Sequence, residues 1–559
     1  MTKDKKRIVL YAGLALIFTV LCYVACALYH TLYIDGDNYV IAIVTNGLLG
    51  NSNYCIFLHP VLCFFIKIIS LILPKADAFY IFQRLSVALC IFWLSFLALK
   101  SRRKSVFVKV LWHVLLFSAG AVADVFNANF TVPSAFIFMT GTVTLWLSYK
   151  ANHKKIYLAV ALICLVFGTM LRIESGLMLT PFLLLEGATL FVEKFRNKAE
   201  VKKIILLALI GLFTVGLVAG SHKIVNKLPK YKESVQYNDE RSVIGDYPTK
   251  GYDKVEKKAK KRGVERYAYE AVDGWFLADT DDINAKSLHN MAVIGQQVEK
   301  FSTKKLVKEF KKMTFRDSET TALTNFIVLM LFFIFVLKVP NIRKLSALCA
   351  LLGGMAILAM NIYLGRAPVR IMVALIIGVL FSFAIDIDRA KKVKDRLIPV
   401  FCSVLALYLG YIAYNADKTF HDDKLNLAIN AADSSLMQYE EMCQGDKFYL
   451  WDAFHTTCMV TFRNAGKLPP KQFLEHNIST GDWTYGQVYF KEHLANIGKP
   501  NPLESFLNED NIYYVSGGIG KLNNYVRGKY GERYTFEVVD HIDDIQIWKM
   551  VNDGGADPE

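Results

Sequence analysis

Residues 32–39 read LYIDGDNY and follow directly on a long apolar run, so two carboxylates, Asp35 and Asp37, stand where a first helix would leave a bilayer. Paired carboxylates at that depth can take a proton from a hydroxyl or orient it, which is general acid–base work at a membrane surface. With one residue between them, both can face one cavity, and Gly36 permits the tight backbone. An anionic leaving group would need cations at the same level. The stretch YLGRAPVRIMV supplies Arg366 and Arg370 at the junction of two apolar runs. Guanidinium groups grip phosphate through paired hydrogen bonds; at a helix end they also snorkel to lipid head groups.

The elements that must position these groups are membrane helices. The chain has 559 residues, is 53% hydrophobic and 13% aromatic, and repeats apolar stretches of spanning length. Its basic start leads into a run too long for a signal peptide and without a small-residue cleavage site, which predicts an uncleaved first span. The net charge of +15 does not point to nucleic acid, because the basic residues sit in short clusters between apolar runs. Those clusters are Lys3–Arg7, Lys100–Lys104, Lys150–Lys155, Lys194–Lys203, Lys338–Lys344 and Arg389–Arg396, and by the positive-inside rule they face the cytoplasm. Spans are then expected near 8–29, 79–99, 107–123, 131–149, 156–171, 176–193, 204–221, 322–338, 345–363, 371–386 and 397–414. The expected fold is an α-helical polytopic membrane protein with about eleven crossings, N-terminus cytoplasmic and C-terminus extracytoplasmic. FLHPVLCFFIKIISLILP (57–74) is apolar enough to span, but counting it would throw the next basic cluster outside. It is expected to lie along the outer surface as an interfacial helix within the outer loop 30–78.

A larger outer loop is expected over 222–321. After the membrane domain (1–414) comes an extracytoplasmic α/β domain (415–559), because DKFYLW, NIYYV and YTFEVVDHIDDIQIWKMV have strand character between turns. The ten cysteines show no metal spacing; Cys443 and Cys458 lie together in a polar region and can pair. SGGIGK (516–521) lacks the spacing of a phosphate loop.

An outer first loop with an acidic pair, an apolar segment starting His-Pro, and FQRLSVAL opening the next span resemble the GT-C superfamily. These are polytopic glycosyltransferases that use polyprenyl-phosphate-linked sugars, and they include protein O-mannosyltransferases and aminoarabinose transferases. The resemblance covers roughly 1–415 in layout and about 60 residues in motif detail. It implies that the acidic residues of the first outer loop form the catalytic site and that the His-Pro segment is a juxtamembrane helix. It also implies a late span opening with an arginine near the lipid phosphate. Asp35 is favoured as general base, with Asp37 binding substrate or orienting the acceptor; the mannosyltransferases usually have adjacent acidic residues, and here the roles can be exchanged. A divalent metal can bridge Asp35 and donor phosphate in some relatives, but no third ligand is evident in this chain.

Other polar residues have two readings each. Arg172 and Glu174 in MLRIESG interrupt an apolar hairpin, as an ion pair or a substrate contact. Arg84, at the start of the second span, either caps the cavity or meets head groups. In ADVFNANFTVP (123–133), Asp124, Asn127 and Asn129 bind sugar hydroxyls or cap a helix. His59 contacts a phosphate or caps the helix that Pro60 begins. YNDERSVIGDYP (237–248) and WFLADTDDI (275–283) suit carbohydrate and equally ordinary loop packing. The implied function is sugar transfer from a polyprenyl-phosphate donor to an envelope polysaccharide, lipid or protein acceptor on the outer face. The alternatives are a lipid-linked saccharide transporter or flippase, or a non-catalytic envelope assembly protein.

Overall fold

A computed structural model describes residues 3–27, 36–50, 54–101, 105–122, 129–149, 154–297, 302–315, 318–337, 339–365, 368–389, 397–420, 445–453, 468, 471–542 and 545–552. The chain begins with helices α1 (Lys3–Ala27), α2 (Gly36–Thr45), α3 (Pro60–Ile72), α4 (Ala78–Lys100), α5 (Val106–Leu115) and α6 (Thr131–Ser148). A hairpin follows, α7 (Lys154–Leu171) and α8 (Ile173–Lys194), and then α9 (Lys198–Asn226). The next segment holds α10 (Pro229–Gly245), α11 (Tyr252–Lys261), α12 (Arg266–Asp273), α13 (Ala285–Gly295) and α14 (Thr303–Phe315). Helices α15 (Ser318–Val336), α16 (Asn341–Tyr363), α17 (Val369–Asp388) and α18 (Ile398–Phe420) complete the bundle.

Among the described residues, seven helices are long and apolar enough to cross a membrane: α1, α4, α6, α8, α9, α16 and α17. The shorter apolar helices α5, α7, α15 and α18 fall over the remaining expected spans. Helix α3, with 13 residues, is about 20 Å long, short of the roughly 30 Å hydrocarbon core. It buries Leu62, Cys63 and Ile66 and exposes Phe64, Phe65, Ile68 and Leu71, so one apolar face packs inward while the other is left for lipid. Helices α6 and α17 form the centre, each almost wholly enclosed by its neighbours.

One end of this centre carries a buried ionic cluster. Arg343, at the start of α16, is fully buried and was expected in a cytoplasm-facing basic cluster. Instead its Nη1 meets Glu186 Oε2 at 2.6 Å and Asp386 Oδ1 at 3.2 Å, and its Nε meets Glu193 Oε1 at 2.6 Å. Burying such charges is tolerable only when they are paired. Helices α8, α16 and α17 are thereby tied together at one level.

The C-terminal part contains a five-stranded mixed sheet in the order β2-β1-β3-β5-β4. Its strands are β1 (Phe448–Trp451), β2 (Asn477–Ser479), β3 (Ile512–Ser516), β4 (Tyr534–Ile542) and β5 (Ile545–Asn552). Strand β1 runs parallel to β2 and β3, and β5 joins β3 and β4 antiparallel. The continuous apolar run of β1 is fully buried, as a central parallel strand requires. Helices α19 (Lys471–His476), α20 (Val488–Asn496), α21 (Pro502–Asn508) and α22 (Gly520–Tyr530) cover the sheet.

This part and the 222–321 segment pack together as one body outside the helix bundle. Asp279, inside WFLADTDDI and fully buried, accepts from Tyr525 Oη at 2.8 Å, Lys529 Nζ at 2.5 Å and Asn501 Nδ2 at 3.1 Å. Burial alone would raise its pKa, but Lys529, Tyr525 and Asn501 hold the carboxyl below its ordinary range. Its stabilisation is therefore complete above the ordinary value of 3.8 and is lost as pH falls through the lowered folded value. Asp279→Asn is expected to cost about 1–3 kcal/mol, because Lys529 loses its buried partner and keeps only Asp282, at 3.1 Å. Thermal unfolding of the purified chain would register it as a lower Tm at neutral pH and a smaller Tm difference between wild type and variant in acid.

Candidate active site

The candidate site forms where that body meets the N-terminal helices. Asp37 does not prolong the first span; it sits in the first turn of α2, a separate and mostly buried helix. A carboxylate there is favoured by the unpaired N–H groups of the helix start. The far end of α2 is anchored by Asn46, whose Nδ2 donates to Asp77 Oδ1 at 3.2 Å and whose Oδ1 accepts from Ala78 N at 3.1 Å at the start of α4. Asn38 Oδ1 accepts from Phe130 N at 3.0 Å, fixing α2 against the start of α6.

Arg370 lies in the first turn of α17, and its Nη2 stands 3.2 Å from Asp37 Oδ2. More than 300 residues of chain separate the two groups. The carboxylate and guanidinium singled out as base-region acid and phosphate holder are thus in direct contact, both partly exposed at 25% and 21%. Asp35, Arg366, Asp124 and Asn127, as well as Cys443 and Cys458, lie outside the described residues.

Five other residues from the sequence reading are described: Arg172, Glu174, His59, Asn129 and Arg84. Arg172 is the extended residue that breaks the α7–α8 hairpin. Its Nε meets Glu174 Oε2 at 2.9 Å, and its guanidinium lies 5.1 Å from the Phe57 ring and 4.8 Å from the Phe130 ring. His59 caps α3: Nδ1 accepts from Val61 N at 3.2 Å. The neutral ring therefore carries its proton on Nε2, which donates to Ser221 Oγ at 3.0 Å. Burial and the neighbouring His222 push the imidazole down to about 4, so it is uncharged at pH 7. Both ring nitrogens are engaged within the protein, and the role is a cap. Asn129 is likewise a cap, with Oδ1 accepting from Thr131 N at 2.8 Å. Arg84 lies on α4, its guanidinium 4.9 Å from the Tyr80 ring.

The structure adds a carboxylate that the sequence did not single out. Asp482, in the segment GDWTYG, accepts from Thr484 N at 2.5 Å and also from the Thr484 hydroxyl. Desolvation raises its pKa, and the nearby charge of Asp37 adds to the rise while Arg241 opposes it. Two acids and two guanidinium groups therefore share one field. The segment is held by close packing: the Trp483 ring meets Phe57 edge-on at 4.9 Å. A Cβ on Gly481 would overlap the Trp275 carbonyl oxygen, and one on Gly486 would overlap the Tyr237 ring. Arg241 lies 4.6 Å from the Trp275 ring and pairs with Asp246 at 3.4 Å. The clue in the sequence was an acid bracketed by glycines and aromatics, but nothing local ties it to residue 37.

Among the described residues, no group of three or more His, Cys, Asp or Glu could hold a metal ion. The arrangement sets a carboxylate, Asp37, against a guanidinium, Arg370, that can receive negative charge.

No family model matches the chain, and no curated protein matches it. Two solved structures are similar to it. One is the Archaeoglobus fulgidus oligosaccharyltransferase in its complex with Zn and sulfate, at 11% identity and a TM-score of 0.42, covering 94% of this chain and 71% of that one. The other is ArnT from Cupriavidus metallidurans in the apo state, also at 11% identity and a TM-score of 0.42, covering 98% of both chains.

Proposed function

We propose that the chain is an integral membrane glycosyltransferase that moves a sugar from a polyprenyl-phosphate donor to an envelope acceptor at the outer face. The observation that carries this is the contact between Asp37 and Arg370. It joins an acid at the start of α2 to a cation at the start of α17, at the level where a lipid phosphate lies. A guanidinium has five N–H donors in a fixed fork, so one cation can hold a carboxylate and a phosphate oxygen together.

The reaction is a single displacement. Asp35 takes the proton of the acceptor hydroxyl as its oxygen bonds to the anomeric carbon. The bond from that carbon to the phosphate oxygen breaks, and the polyprenyl phosphate leaves with the electron pair. Arg370 meets the charge that develops on it, and Asp37 keeps Arg370 in place. Attack opposite the leaving group inverts the anomeric centre. The outer body closes over the acceptor side and brings Asp482 into the same field.

The test is compositional. Mass spectrometry of envelope glycans from a strain lacking the chain is expected to show one sugar substituent missing. Wild-type complementation restores it, and Asp35→Asn, expressed and inserted at the same level, does not. Restoration by Asp35→Asn would remove the base from the mechanism, and an unchanged glycan profile in the deletion strain would favour a transporter or assembly role.

A further inference from the structure

Between α10, the end of α13 and the α16–α17 turn lies a pocket of about 360 Å³, outside the Asp37–Arg370 contact. That volume is near the lower end of the roughly 300–1,000 Å³ typical of small-molecule sites. Most of one wall comes from the stretch YNDERSVIGDYP, whose polar and aromatic character the mechanism above leaves unused.

Its chemistry is that of a receptor for hydroxyl groups. Gln296 and Gln297 each present an amide that donates and accepts, Ser242 adds a hydroxyl, and Tyr247 and Tyr363 bring aromatic faces. Among the described residues, the one charged side chain in the lining is Asp239. Partial desolvation lifts its carboxyl above the ordinary range, with the charges of Glu240 and Glu174 adding to the effect. The local field is therefore negative, opposite to what a phosphate needs.

Its position links it to the reaction. Pro248 in the wall packs onto Gly365, where a Cβ would come within 2.6 Å of Pro248 Cδ and where φ is +80°. Gly365 belongs to the short turn that leads from α16 into α17 and so to Arg370. Tyr363 and Leu364, exposed at the end of the membrane-length helix α16, set the mouth at the edge of the bilayer.

We propose that this pocket is a saccharide subsite that takes one neutral or amine-bearing sugar residue and rejects a phosphorylated one. That the sugar belongs to the acceptor rests on the transferase function proposed above; the binding itself does not. The site separates the two substrates by charge: the donor phosphate goes to Arg370, and the uncharged or cationic sugar goes to the Asp239 side of the turn.

Saturation-transfer NMR on the purified full-length chain in detergent, with methyl glucoside, glucosamine and glucose 1-phosphate as probes, tests this. Transfer is expected to the first two in wild type, and in the Arg370→Ala variant, which lacks the donor-phosphate cation, to the first two and not to the phosphate. Gln296→Ala, at an exposed position, and Tyr247→Ala are each expected to weaken binding about ten-fold. Asp239→Asn is expected to remove the preference for glucosamine over glucose 1-phosphate. Asp37→Asn is expected to leave binding of methyl glucoside and glucosamine as in wild type. No transfer to any probe, or transfer that survives both Gln296→Ala and Tyr247→Ala, overturns the subsite. If binding follows the expected pattern while Asp35→Asn leaves envelope glycans intact, the pocket stands and the transferase mechanism falls.

Discussion

Asp37→Asn and Arg370→Ala are each expected to lower kcat/KM for sugar transfer roughly 100-fold, and the double variant to be no worse than either. Asn keeps the shape of Asp37 but loses its charge, so the guanidinium across the 3.2 Å contact is no longer pinned. A cation that wanders by an ångström stabilises the departing phosphate poorly, because the effect depends on donors placed in advance. Removing Arg370 destroys the same interaction from the other side. The two effects therefore do not add, and a double-mutant cycle reads their coupling directly. Asp37 acts through Arg370, so the kinetics should divide by role. Asp37→Asn is expected to raise KM for the lipid-linked donor as well as lower kcat, Asp37→Glu to recover part of both, and Asp35→Asn to lower kcat with donor KM unchanged. Additive losses from Asp37→Asn and Arg370→Ala would mean that the pair does not work as a unit.

The second large effect concerns stability. Arg343→Met is expected to cost about 3–5 kcal/mol, the range for breaking a buried ion pair by removing one partner. Arg343 is the cation that meets Glu186, Glu193 and Asp386, and the variant leaves three carboxylates crowded at the end of the bundle. Methionine fills much of the space, so the loss would come from charge and not from a cavity. Arg343→Lys keeps the charge but cannot reach three acids with a planar fork, and it should fall between the two. Thermal unfolding in a fixed detergent gives the order wild type, Arg343→Lys, Arg343→Met. Equal melting temperatures for all three would show that the cluster contributes nothing net.

Much of the fold was legible because the bilayer imposes local rules. Apolar runs near 131–149 and 371–386 became α6 and α17, and the His-Pro start of 57–74 marked a surface helix whose 13 residues are too few to cross. Strands β1, β3, β4 and β5 were visible as β-branched and aromatic runs, whereas β2, only Asn477–Ser479, carries no periodicity and is a strand because β1 lies beside it. What the sequence left unread shares one cause, which is that pairing is long-range. Arg343 has the composition of a topogenic charge, and only the fold shows that acids 150 and 157 residues earlier neutralise it. The site was half legible. Asp37 and Arg370 stood out by type and by position at the ends of apolar runs. Asp482 did not, since a single acid in a 3-10 turn gains meaning only when the outer body sets it beside α2.

The Arg343 cluster also sets an order of events during biosynthesis. Glu193 and Glu186 leave the ribosome 150 and 157 residues ahead of the arginine that neutralises them. At roughly 5–20 residues per second, that is a wait of about 8–30 s. Through this interval Glu186 and Glu193 lack the arginine that pairs with them in the finished fold, so this end of the bundle closes only after α16 has been made.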